Sequence, residues 1–123
     1  MSTKVYAVDA VGSVIFGGPP APRLVPGHGA SRVPELFAED LAEQVVLVTD
    51  AECVAGCRAL MRRETILAGG SSGAVIAALA KVRNQIWAGA TCALVICDRG
   101  ERYLDTIFSD AWVERHFSAV PAL

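Results

Sequence analysis

Val45-Val46-Leu47-Val48-Thr49 runs directly into Asp50-Ala51-Glu52-Cys53-Val54-Ala55-Gly56-Cys57. The first stretch is continuously apolar rather than alternating, which predicts a strand buried on both faces. Asp50 is placed to cap a helix through Glu64, with Val54, Cys57 and Met61 on one stripe. Outward from this pair, Lys4 to Asp9 is a second β-prone run and Thr91 to Cys97 a third, again continuously apolar. Ile66-Leu67-Ala68 leads into Gly69-Gly70-Ser71-Ser72-Gly73 and a helix to about Gln85; Ser109-Asp110 reads as the cap of a last short helix ending near Phe117. The order strand, helix, helix, strand predicts an α/β fold: a partial three-layer sandwich with a short, mostly parallel sheet flanked by helices. Three strands leave exposed edges and an uncovered face, so residues 1–123 are expected to form a single incomplete domain.

Composition narrows the function classes. At 123 residues, with 53% apolar and 20% charged side chains, the chain is too apolar for intrinsic disorder and too short for two full domains. Its longest apolar run, Ala74 to Ala80, is seven residues, against roughly 20 for a membrane span. No charged segment precedes an apolar one at the start, so no secretory signal is read. A net charge of −2 with no basic stripe gives nucleic acid no electrostatic footprint. The mean hydropathy of +0.41 is high for so small a chain and calls for a partner or a larger whole. The four cysteines show no C-x-x-C pair, and His28 and His116 lie far from them in sequence, so no metal site is expected. They read as reduced thiols, mostly small core residues, in a cytoplasmic protein. Cys53 and Cys57 share a helix face, whereas Cys92 and Cys97 point to opposite faces of a strand.

Three motifs could carry chemistry. Gly69-Gly70-Ser71-Ser72-Gly73 opens an apolar helix, so spacing allows either an anion site on free N–H groups or a tight turn with a serine cap, the second being favoured. No lysine follows as in a Walker loop. Gly100-Glu101-Arg102-Tyr103-Leu104-Asp105-Thr106 follows a strand at the end where parallel sheets bind ligands, yet Glu101, Arg102 and Asp105 read better as a structural ion-pair network. Pro26-Gly27-His28-Gly29-Ala30-Ser31 lies in a connection, Gly12 to Pro34, that holds five Gly and five Pro and an apolar turn at Val14-Ile15-Phe16. Loops of that length in compact domains are commonly functional, although a lone histidine in one is more often a bystander.

Taken in order, Val8-Asp9-Ala10-Val11-Gly12-Ser13, Pro26-Gly27-His28-Gly29-Ala30, Gly69-Gly70-Ser71-Ser72-Gly73-Ala74 and Gly100-Glu101-Arg102-Tyr103-Leu104-Asp105-Thr106 resemble the C-terminal third of the cysteine synthase family. Its members are pyridoxal-phosphate (PLP) enzymes of fold type II that catalyse β-replacement. The resemblance covers about residues 4 to 117. Asp105 to Val113 carries a finer likeness to the N-(2-amino-2-carboxyethyl)-L-glutamate synthases, which make a 2,3-diaminopropionate precursor for siderophores.

The resemblance implies that Ser71, flanked by Gly70 and Ser72, meets the pyridine nitrogen of PLP, and that Gly27, His28 and Gly29 belong to a loop lining the cofactor and substrate pocket. A serine at the pyridine nitrogen leaves the ring largely unprotonated, which suits β-elimination. It also implies that the phosphate sits on another loop, which displaces the anion reading of the Gly69 turn. That loop, the Schiff-base lysine and the substrate-carboxylate loop all match regions upstream of this chain. Only Lys4 and Lys81 occur here, and neither matches the Schiff-base position. Cys97 stands where the family usually has proline. The implied reaction joins O-phosphoserine or O-acetylserine to a nucleophile, glutamate or sulfide. This chain alone is expected to be inactive and to bind no cofactor by itself, with a companion N-terminal chain or a second copy as its partner. The alternatives are a non-catalytic interaction or dimerisation module and a gene fragment without function.

Overall fold

The computed structural model describes residues 2–123. Two parallel strands, β1 (Tyr6–Ala10) and β2 (Gln44–Val48), pair in register from Tyr6 opposite Gln44 to Ala10 opposite Val48. Helix α1 (Asp50–Glu64) follows β2 directly, α2 (Gly70–Val82) continues into a 3-10 turn at Arg83–Gln85, and α3 (Asp110–His116) closes the chain. The chain is thus α/β, with a short parallel sheet flanked by helices. The crossover between β1 and β2 is the Gly/Pro-rich loop, with a single 3-10 turn at Glu39–Leu41, rather than a regular helix.

Val46 and Val48 point into a core shared with Cys53, Val54 and Cys57 of α1, Ala74, Ala77 and Ala78 of α2, and Val25, Ile107 and Val113. The two long helices approach so closely that a Cβ on Gly56 would overlap the Gly73 carbonyl, and one on Gly73 would overlap the Cys53 carbonyl. Small residues at that crossing let backbone meet backbone, and Ala77 and Ala78 continue the close contact.

Four local expectations are corrected. Thr91–Cys97 forms no ladder, leaving a two-stranded sheet; every residue in it is exposed. A strand needs a neighbour to satisfy its backbone, and none of the described residues supplies one. Only beyond it does the chain touch down, through Gly69 N–H to the Asp98 carbonyl and Gly100 N–H to the Leu67 carbonyl. Second, β2 is buried on one face only: Val45 is 37% and Leu47 45% exposed, because the helices cover the opposite side. Third, the cap of α1 is Thr49, which exchanges side-chain and backbone bonds with Glu52 in a capping box. Asp50 is freed for another task, and Met61 lies outside the core, its place taken by Leu60. Fourth, Cys53 and Cys57 are core thiols, but Cys92 and Cys97 are exposed.

Candidate functional site

The site is built where the loop after β1 folds back over the start of α2. Ser13, buried behind β1, accepts from the Ala30 N–H at 3.0 Å, and Val14 N–H donates to the Ala30 carbonyl at 3.0 Å. Asp50 accepts from the Leu24 and Val25 N–H groups at 2.8 and 3.0 Å, tying the loop to the first turn of α1. Between these anchors the chain passes Gly27, His28 and Gly29. A Cβ on Gly27 would stand 3.7 Å from Ser71 Oγ, so the two expected pocket elements, the glycine loop and the serine turn, face each other.

The serine turn starts on Gly69, which caps α2 with its backbone and no side-chain bond; the expected serine cap is not made. Ser71 and Ser72 instead sit within the first turn, both buried, and Ser72 Oγ has no hydrogen-bond partner. Gly70 packs so closely on Val25 and Pro26 that a side chain there would collide with Val25 Cγ1. The Cys57 thiol donates to the Gly69 carbonyl at 3.2 Å, and burial pushes its pKa up to about 12.

His28 packs against α1. Its Nε2 lies 3.5 Å from Cys53 Sγ, and its Nδ1 is buried without a hydrogen-bond partner. Burial lowers the imidazole pKa, opposed by the Asp50 and Asp9 carboxylates. Burial, with Asp50 nearby, raises that of Cys53, which keeps the thiol protonated and makes the pair a weak thiol–imidazole contact rather than a nucleophile and its base. Asp9, fully buried at the end of β1, accepts from the Ala10 N–H with one oxygen and leaves the other unpartnered.

A cavity of about 370 Å³ opens beside this loop, bordered by Arg23, Val25, Gly27, His28, Gly29 and Ser31. Arg23, a residue that the motif spacing did not single out, lies across Gly29 and donates to the His28 carbonyl at 3.2 Å and to Ser31 Oγ at 3.1 Å. The Gly100–Thr106 motif has a modest local role. Tyr103 donates to Asp98 at 2.8 Å, an interaction that heads the causes raising its pKa. The ion pair here is Arg99 with Glu101, both exposed, and not a network of Glu101, Arg102 and Asp105.

The two lysines bear on cofactor attachment. Lys81 Nζ is bonded to Glu52 and the Leu47 carbonyl, on the side of α2 away from its N-terminus, and Lys4 precedes β1 in an exposed position. The described residues therefore place no lysine beside the Ser71 turn. Among them no three His, Cys, Asp or Glu side chains gather as metal ligands, and no helix is long and apolar enough to cross a membrane.

Comparison with known proteins gives the chain's relatives. Residues 1–98 match the family described as pyridoxal-phosphate dependent enzymes. The chain is 49% identical over 112 residues to an N-(2-amino-2-carboxyethyl)-L-glutamate synthase from Ralstonia nicotianae, covering 91% of this chain and 33% of that protein. Its fold superposes on an O-acetylserine dependent cystathionine beta-synthase from Helicobacter pylori with a TM-score of 0.75 and 27% identity, over 84% of this chain and 34% of that one. The chain spans about a third of the length of both relatives.

Proposed function

Because this chain belongs to the pyridoxal-phosphate dependent enzyme family, we propose that it forms the C-terminal part of a β-replacement synthase and needs the N-terminal part of one as its companion. The observation that carries the reading is the 49% identity running through 91% of this chain but only 33% of a glutamate-joining synthase. On this reading PLP, when bound, supplies the electron sink for loss of phosphate or acetate from a serine ester. This chain supplies the far wall: Ser71 as the partner of the pyridine nitrogen, Gly70 and Ser72 shaping that turn, and Gly27, His28 and Gly29 closing the substrate side. On this reading the anchoring lysine and the phosphate loop belong to that N-terminal companion, and residues 1–123 by themselves are expected to be inactive. The amino-acid nucleophile is glutamate, as in the name of the Ralstonia relative.

The test is a PLP absorbance titration with and without the N-terminal two thirds of that relative. A protein-bound cofactor band in the visible that forms only in the mixture, and shifts in Ser71→Asp, supports the proposal. Turnover of O-phosphoserine by the 123-residue chain alone sinks it. A second reading, a module that pairs with its own copy, is favoured by the exposed, unpaired Thr91–Cys97 segment. Sedimentation at low micromolar concentration decides it: a monomer with cooperative unfolding counts against self-association.

A further inference from the structure

Arg23 is an arginine without an acid. The ion pairs among the described residues are Arg58–Asp110, Lys81–Glu52 and Arg99–Glu101, and Arg23 belongs to none of them. The carboxylate nearest in sequence on the packed helix, Asp50, is used by the Leu24 and Val25 N–H groups. The guanidinium is nevertheless fixed. Its Nη1 occupies the space that a Cβ on Gly29 would take, a glycine with φ of +73°, and it donates to two neutral acceptors, the His28 carbonyl and Ser31 Oγ. Those bonds leave further N–H donors of the fork unused. Such a group has already given up its rotamer freedom, so an incoming anion need not order it.

The setting is a half-buried wall of the 370 Å³ cavity, one short loop from the Gly27 position that faces Ser71. A cavity of this size takes a small ligand or the arm of one. The uncharged groups around it, His28 with its pKa lowered by burial and Ser31, do not compete with the guanidinium for an anion. We propose that Arg23 is the recognition group for the side-chain carboxylate of the amino-acid nucleophile, held bidentately by the free edge of the fork. This deepens the synthase reading and rests on it. A nucleophile that reacts through its amine leaves its far carboxylate free to meet a fixed cation, and a site built around that charge rejects an amide isostere.

The experiment uses the ¹⁵N-labelled 123-residue chain, titrated separately with L-glutamate, L-glutamine and inorganic phosphate while the Gly27, Gly29 and Ser31 amides and the Arg23 side-chain N–H are followed. Glutamate is expected to give saturable shifts there, with glutamine weaker by about tenfold or more. Arg23→Gln abolishes the glutamate response, and Arg23→Lys, which keeps charge and fold but loses the fork, retains a weakened one. Equal responses to glutamate and glutamine, a response to phosphate alone, or unchanged titration in Arg23→Lys overturns the assignment. The two readings also fail separately. A cofactor band in the companion mixture together with an Arg23-independent glutamate response removes Arg23 only. An Arg23-dependent response with no cofactor band in the mixture keeps the carboxylate site and removes the synthase.

Discussion

His28 occupies the point where three kinds of neighbour meet: the Cys53 thiol on α1, the Arg23 guanidinium across its own carbonyl, and the carboxylates of Asp50 and Asp9. Burial wins over the carboxylates and holds its pKa below the ordinary 6.5. Between the folded and the unfolded value the unfolded chain binds more protons, so stability is full above pH 6.5 and declines as pH falls through that window. His28→Asn is expected to flatten the dependence of the thermal midpoint on pH below 6.5; an unchanged slope would place that sensitivity in another group. Glu52 acts at lower pH. Burial alone would raise its pKa, but bonds from Lys81 and Thr49 outweigh this and lower it below 4.5. Its contribution is present above that value and is lost as pH falls through the folded pKa, so Glu52→Gln removes an acid-side slope that His28→Asn leaves intact. Gly27, His28, Gly29 and Ser71 were legible in the sequence because motifs fix them relative to one another. Arg23 was not, since its placement depends on a loop bending back over Gly29, a contact that no residue pattern along the chain encodes.

At the scale of elements, α1 and α2 were readable from their apolar spacing, whereas their closeness depends on two glycines that a periodicity argument treats as neutral. Gly73→Ala puts a methyl into the Cys53 carbonyl and beside the Cys57 sulfur, with no flexible side chain to yield. It is expected to cost about 2 kcal/mol or more, seen as a lower urea midpoint, and to move the Ser71 turn with it. An unperturbed midpoint would mean that the helices separate freely at this crossing. The N-terminus of α1 shows a finer limit. Thr49 and Asp50 are both good caps, and the sequence reading places the cap on Asp50; the tertiary demand of the Leu24 and Val25 N–H groups takes Asp50 and leaves Thr49 as the cap. Thr49→Ala should therefore cost about 1 kcal/mol by losing the cap, while Asp50→Ala should also release the 24–31 loop. Amide exchange at Gly27 and Gly29 separates the two: faster in Asp50→Ala and unchanged in Thr49→Ala.

For the whole molecule, the apolar excess visible in the composition has a definite location. Val45 and Leu47 show one uncovered face of the sheet, and Leu94, Val95 and Ile96, with Val95 72% exposed, form a run whose backbone pairs with nothing among the described residues. The sequence reading of 91–97 as a strand recognised the β-prone composition but not the condition it depends on, a neighbouring strand. On the companion reading that neighbour lies in the N-terminal part, and the segment completes its hydrogen bonds only when that part is present. Hydrogen exchange of the 91–97 amides should then be fast in the isolated chain. It should slow by at least about a hundredfold when the N-terminal two thirds of the Ralstonia relative is added, which corresponds to about 2.7 kcal/mol of local protection. Val95→Pro, which removes an N–H donor from the middle of the run, should weaken that protection while leaving the unfolding free energy of the isolated chain within about 0.5 kcal/mol of the parent, since nothing in it depends on the residue. Protection that already exists in the isolated chain and rises with its concentration would point instead to pairing between two copies. No protection with or without the companion would mean that the uncovered face does not serve assembly of a synthase.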